Sequence, residues 1–117
     1  MIKKEFLKSK DVCKVTFSLP PDTEQAISSI EVLGDFNNWI TGKGTMMKKQ
    51  KDKSFKVTMS FEKGKEYEFR YLINSSIWSN EENADKQVPT PYGSENSVLV
   101  TSPENYTKIY NKHIKIT

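Results

Sequence analysis

Apolar residues along this chain recur at every second position, the spacing of half-buried β-strands, and nowhere sustain the 3.6-residue period of an amphipathic helix. Cys13, Val15, Phe17 and Leu19 alternate with Lys14, Thr16 and Ser18 until Pro20 and Pro21, which lack a ladder donor, end the run. A second strand is predicted from Ser29 to Gly34, with Ile30 and Val32 on one face. Phe55, Val57, Met59 and Phe61 make the clearest amphipathic strand. Tyr67, Phe69, Tyr71 and Ile73 follow, alternating with Glu68, Arg70 and Leu72. Between these two runs Glu62-Lys63-Gly64-Lys65 reads as a hairpin turn. A further strand is expected from about Asn96 to Thr101, and Ile114 with Ile116 would form a last one. Polar loops are expected over 35–53 and 74–95, and Asp22 to Ser28 is the one short helical candidate. Seven or so short strands punctuated by turns predict an all-β, antiparallel sandwich in one domain spanning 1–117, with an OB-like barrel as competitor.

Composition sharpens this picture. The chain has 117 residues, of which 35% are hydrophobic, and a mean hydropathy of -0.68. So polar a chain could be disordered, but its 6 Phe, 5 Tyr and 2 Trp argue for a core built from a few large side chains. Phe17, Phe55, Phe61, Phe69 and Tyr71 are predicted to form it. The net charge of +3 is spread along the chain apart from Lys48, Lys49, Lys51 and Lys53, a weak signal for nucleic acid. No nucleic-acid partner is expected. Cys13 is the one cysteine, so no intrachain disulfide is expected. The lysine-rich stretch from Met1 to Lys10 lacks a signal-peptide pattern, and no apolar run reaches membrane-spanning length. A cytoplasmic protein without a membrane partner is the expectation.

Catalytic patterns are sparse. One histidine, His113, and one cysteine make no standard zinc site. Glu81, Glu82 and Asp85 are three acids in a polar stretch, a pattern more typical of a solvated loop than of paired glycosidase carboxylates. No catalytic residue, metal or cofactor is expected, and the chain is read as a non-enzyme. The residues that invite a functional reading are aromatic. Trp39 ends the turn-forming string Gly34-Asp35-Phe36-Asn37-Asn38-Trp39, in which Phe36 can plug back into the core. Trp78 sits in Ser75-Ser76-Ile77-Trp78-Ser79-Asn80. Two rings beside polar donors suit a sugar, a stacked base or a protein hot spot, and spacing does not choose among them.

The string Val32-Leu33-Gly34-Asp35-Phe36-Asn37-Asn38-Trp39 resembles the Gly-x-Phe-Asn-x-Trp signature of family 48 carbohydrate-binding modules, or isoamylase early-set domains. The glycogen-binding domain of the AMP-activated kinase beta subunit belongs with them. Met47 and Phe55, then Gly64 ahead of Tyr67-Glu68-Phe69-Arg70-Tyr71-Leu72-Ile73, then Trp78, then Ala84-Asp85, Pro89 and 92–100 continue the resemblance in order, over roughly Val12 to Val100. It implies an immunoglobulin-like β-sandwich of early-set type, with 12–100 as its core and 101–117 as an extension without an assigned role. It also implies a non-catalytic module for α-1,4-glucans of glycogen or starch type. Trp39 and Trp78 would stack on glucose rings, and Arg70 would bond hydroxyls. Tyr92, Ser94 and Asn96 would occupy the closing positions of the site. The implied partners are an α-glucan oligosaccharide or polysaccharide and a separate glucan-metabolising enzyme or regulatory protein. The alternative is an early-set domain that binds protein and not sugar. Arg70 stands where the kinase-type module has lysine, and the turn before Trp78 is longer.

Overall fold

The structure, a computed structural model, describes residues 1–22, 26–42 and 45–103. Two antiparallel sheets face one another. The first has four strands in the order β1 (Ile2–Phe6), β2 (Val12–Leu19), β6 (Phe55–Glu62) and β5 (Lys48–Lys49). The second runs β4 (Thr45–Met46), β3 (Ile30–Gly34), β7 (Glu66–Ile73), β10 (Glu95–Val100), β9 (Lys86–Pro89), with β8 (Ile77–Ser79) also paired to β7. This is an all-β sandwich, as the period-two pattern predicts.

Register explains how the alternation fills the interior. Cys13, Val15, Phe17 and Leu19 stand opposite Phe61, Met59, Val57 and Phe55, so both strands turn their apolar faces the same way. Across the gap Ile30 and Val32 of β3, Phe69 and Tyr71 of β7 and Leu99 of β10 meet them in one buried cluster. Phe17 is its centre, with its ring edge-on to Phe69 at 5.3 Å, Phe61 at 6.3 Å and Tyr71 at 6.5 Å. Such edge-to-face pairs add about 0.5–1.5 kcal/mol each beyond area burial. All five aromatic residues expected in the core are buried.

Three expectations need correction. Glu62-Lys63-Gly64-Lys65 is not a hairpin turn, because β6 and β7 lie in different sheets. The segment arches between the sheets, with Gly64 at φ +76, and Thr101 fastens it. The buried Thr101 hydroxyl accepts from the Lys65 N–H at 2.9 Å and donates to the Glu62 carbonyl at 2.7 Å. Neither polar stretch is one loop, since 35–53 contains a 3-10 turn, β4 and β5, and 74–95 contains β8 and β9. Asp22 to Ser28 is non-helical wherever it is described. In addition, β1 forms from a stretch in which no strand was expected. Its inward position Lys4 sends its ammonium to both Asp85 carboxylate oxygens at 2.7 Å. His113 and the strand expected at Ile114 and Ile116 lie outside the described residues. No helix among the described residues is long and apolar enough to cross a membrane.

Candidate functional site

The six-stranded sheet has a second apolar layer. Alternation that sends Ile30, Val32, Phe69 and Tyr71 inward sends Glu31, Leu33, Glu68, Arg70 and Leu72 outward, yet Leu33 and Leu72 are buried. Trp78 stands directly opposite Leu72, so its ring projects on that same outer face. It is therefore on a strand and not in a loop. Trp39 arrives from the turn after β3, and the two ring centroids lie 6.5 Å apart with planes inclined at 52°. Trp78 is 44% exposed and Trp39 is half-buried. The rings are neither lost in the core nor isolated from each other.

Local chemistry aims Trp39. The chain turns off β3 through a single 3-10 turn over Asp35–Asn37. Asn37 holds that turn from within, its Oδ1 accepting the Gly34 N–H at 2.9 Å and its Nδ2 donating to the Val32 carbonyl at 2.9 Å. Phe36 packs on Phe61 at 5.2 Å and Tyr67 at 6.1 Å, the plug its place in the sequence suggested. Asn38 and Trp39 then take left-handed backbone conformations at φ +56 and +59. For a residue as bulky as tryptophan this is an outlier, and such strain persists where surrounding bonds fix the chain. Those bonds are present: the Trp39 N–H reaches the Gly34 carbonyl at 3.1 Å, and its indole Nε1–H reaches Asp35 Oδ1 at 3.1 Å. Trp78 is placed more simply, by a type I′ turn in which Asn74 and Ser75 have φ +52 and +58 and the Ser76 N–H bonds the Ile73 carbonyl.

On the same outer face, starting two positions before Leu72 on β7, stands a polar chain. Arg70 donates from Nε to Asn96 Oδ1 at 2.6 Å and from an Nη to Ser94 Oγ at 2.7 Å. Guanidinium has five N–H donors in a rigid fork, so these two bonds among the described residues orient the remainder. Asn96 in turn donates to Glu68 Oε1 at 3.1 Å. Its carbonyl is thus committed to Arg70, and the side chain serves chiefly to hold the guanidinium. Ser94 Oγ also meets Thr90 Oγ1 at 2.8 Å, closing the turn that carries Tyr92. Tyr92 is 92% exposed and stands out into solvent. The structure therefore gathers Trp39 with Trp78, and Arg70 with Ser94 and Asn96; Tyr92 is tied to this group only through its turn. Sequence reasoning missed Asp35, Glu68 and Thr90. Asp35 was legible only as a turn former, although its four-residue spacing from Trp39 was visible.

The other candidate groups are structural. Glu81 is buried and accepts from the Tyr71 hydroxyl and the Met1 amino group, both at 2.6 Å, and from the Asn83 N–H at 2.8 Å. Burial pushes its carboxyl up, but these donors outweigh it and hold the group below the usual glutamate range. Burial, with the Glu81 carboxylate beside it, drives the Tyr71 hydroxyl far above the ordinary tyrosine value. Asp85 pairs with Lys4 and accepts the Val100 N–H at 2.7 Å, and Glu82 is exposed. Among the described residues no three His, Cys, Asp or Glu side chains are grouped to hold a metal ion. Burial raises the Cys13 thiol, which disfavours the reactive thiolate. Lys48 and Lys49 form β5, in the sheet opposite the tryptophans.

No family model matches the chain, and a search of curated proteins finds no relative.

Proposed function

We propose that this chain is a non-catalytic module that binds α-1,4-linked glucan, with an immunoglobulin-like, early-set sandwich of the family 48 carbohydrate-binding type as its frame. The observation that carries the reading is the meeting of Trp39 and Trp78 on one sheet face, 6.5 Å apart, although 39 positions separate them in the sequence. Sugars present apolar C–H faces to aromatic rings and hydroxyls to donors. A pair tilted by 52° matches a chain whose successive pyranose faces turn, as α-1,4 linkage makes them do. An extended β-1,4 ribbon would call for coplanar rings. Arg70, held by Asn96 and Ser94, supplies directed donors to hydroxyls of a sugar on the rings. A cytoplasmic setting fits a lone buried cysteine.

Each stacking contact contributes about 1 kcal/mol beyond area burial. Set against the cost of association, this gives weak binding, roughly micromolar to millimolar. Titration with maltoheptaose, followed by tryptophan fluorescence, is expected to saturate, and Trp39→Ala or Trp78→Ala each to weaken binding roughly fivefold or more. A wild-type protein that gives no response at about 10 mM sugar would overturn the proposal.

One observation favours a second reading. Ile40, Met46 and Tyr92 are 46%, 54% and 92% exposed, more apolar surface than stacking on two rings needs. A protein-binding domain would use it, with a glucan-metabolising enzyme or a regulatory protein as partner. In that case Trp39→Ala abolishes recovery of a polypeptide partner, and maltoheptaose does not compete.

A further inference from the structure

The turn that carries Trp39 leaves the sheet at the point where β3 stops pairing with β7. The last paired residues are Gly34 and Phe69, so the next position along β3, Asp35, comes level with Glu68. Its carboxylate then does two things at once. Oδ2 accepts the Glu68 backbone N–H at 2.8 Å, continuing the ladder by one side-chain bond. Oδ1 accepts the indole Nε1–H of Trp39 at 3.1 Å. One rigid planar group thus ties the ring to the central strand of the sheet. The same strand residue, Glu68, receives Asn96 on its side chain, and Asn96 holds Arg70.

From this geometry we infer that Asp35 is the positioning residue that sets the angle between Trp39 and Trp78, and through it the preference of the face for a curved chain. The sugar-directed half of the inference rests on the glucan reading, whereas the ring-angle half does not. The backbone supports the same conclusion. Trp39 sits at φ +59, directly after Asn38 at φ +56, so its main chain is held in a conformation that bulky residues avoid. An indole has a single polar handle, its N–H donor. Once that donor is bound, rotation of the ring out of its 52° inclination to Trp78 must break the bond or move Asp35 with it. Without Asp35 the indole N–H loses its partner among the described residues, and the ring is released while its backbone stays folded on Asn37.

Two indoles this close and this far from parallel couple their ultraviolet transitions and give a circular-dichroism couplet of opposite-signed bands, readable with no ligand present. Wild type is expected to show the couplet, and Trp39→Phe and Trp78→Phe each to abolish it, which fixes its origin. Asp35→Ala is expected to lose most of the couplet while retaining cooperative thermal unfolding. It should bind maltoheptaose roughly tenfold more weakly, while its ratio of maltoheptaose to cellohexaose affinity falls toward one. Asp35→Asn keeps an oxygen for the indole and is expected to preserve the couplet; loss of cooperative folding in Asp35→Ala would transfer the comparison to Asp35→Ser, whose side chain is too short to span to the ring. An unchanged couplet in folded Asp35→Ala or Asp35→Ser overturns the inference. A couplet that depends on Asp35 in a protein that takes up neither sugar upholds the positioning role and removes the glucan reading.

Discussion

Gly34 shows how narrowly single positions are determined here. Its backbone is extended, so conformational freedom is not the reason for glycine. A Cβ built there would lie 2.5 Å from the Glu68 carbonyl oxygen and 2.9 Å from both Phe36 and Phe69. A backbone carbonyl, the packed Phe36 ring and the Cβ of the buried Phe69 cannot all retreat. Gly34→Ala is expected to cost about 1–3 kcal/mol, the range for overpacking, and to lower the melting temperature by about 4–8 °C per kcal/mol. A variant that melts with wild type would refute that account. The same position illustrates what the sequence tells at this scale. Gly34, Phe36 and Asn37 announce a turn with a plug, and the turn is there. That Asp35 reaches the Trp39 indole is not announced, because turn-forming and ring-holding aspartates look alike until the backbone is drawn.

Among elements, legibility followed the contrast between faces. β2, β6 and β7 carry apolar residues at alternate positions that line one continuous core, and the sequence exposes them. β8 has three residues and β9 reads Lys-Gln-Val-Pro, with no apolar face to betray it. β9 ends the strand order of its sheet and β8 pairs only the last three residues of β7, and both are largely exposed. β1 hides for another reason: Lys4 takes an inward position and snorkels to Asp85, breaking the pattern. The arch between β6 and β7 was misread because a glycine at a positive φ marks a reversal without saying whether it stays within one sheet. Thr101 settles that question in the fold, and it is testable. Thr101→Val keeps the shape but removes the acceptor for the Lys65 N–H and the donor to Glu62. A loss of about 1–3 kcal/mol is expected. It would be read as a lower urea midpoint at unchanged slope. An unchanged midpoint would show that the arch holds without the hydroxyl.

For the molecule as a whole, the ionisation of Glu81 couples acidity to folding. Its carboxylate is satisfied by the Tyr71 hydroxyl, the Met1 amino group and the Asn83 N–H, so the folded state keeps it ionised to lower pH than the unfolded chain does. The unfolded chain therefore binds the proton first as pH falls. The contribution is complete above the ordinary glutamate value of about 4.3 and is lost as pH drops through the lower folded value. Wild type is expected to melt well above Glu81→Gln at neutral pH, and the gap to narrow in acid. A gap that stays constant down to about pH 3 would contradict this role.

β7 lies between β3 on one side and β10 and β8 on the other, and Arg70 and the neighbour of Trp78 both belong to it. Amides bonded on both flanks of a central strand exchange with solvent only when the whole domain opens. The floor beneath the two rings is thus expected to show the slowest hydrogen exchange in the molecule. A ligand settling there meets a surface that has already lost its disorder, so occupancy would not tighten β7 locally. It would instead slow exchange throughout the domain by the same factor, 1 + [L]/Kd, because it is global opening that must release the ligand.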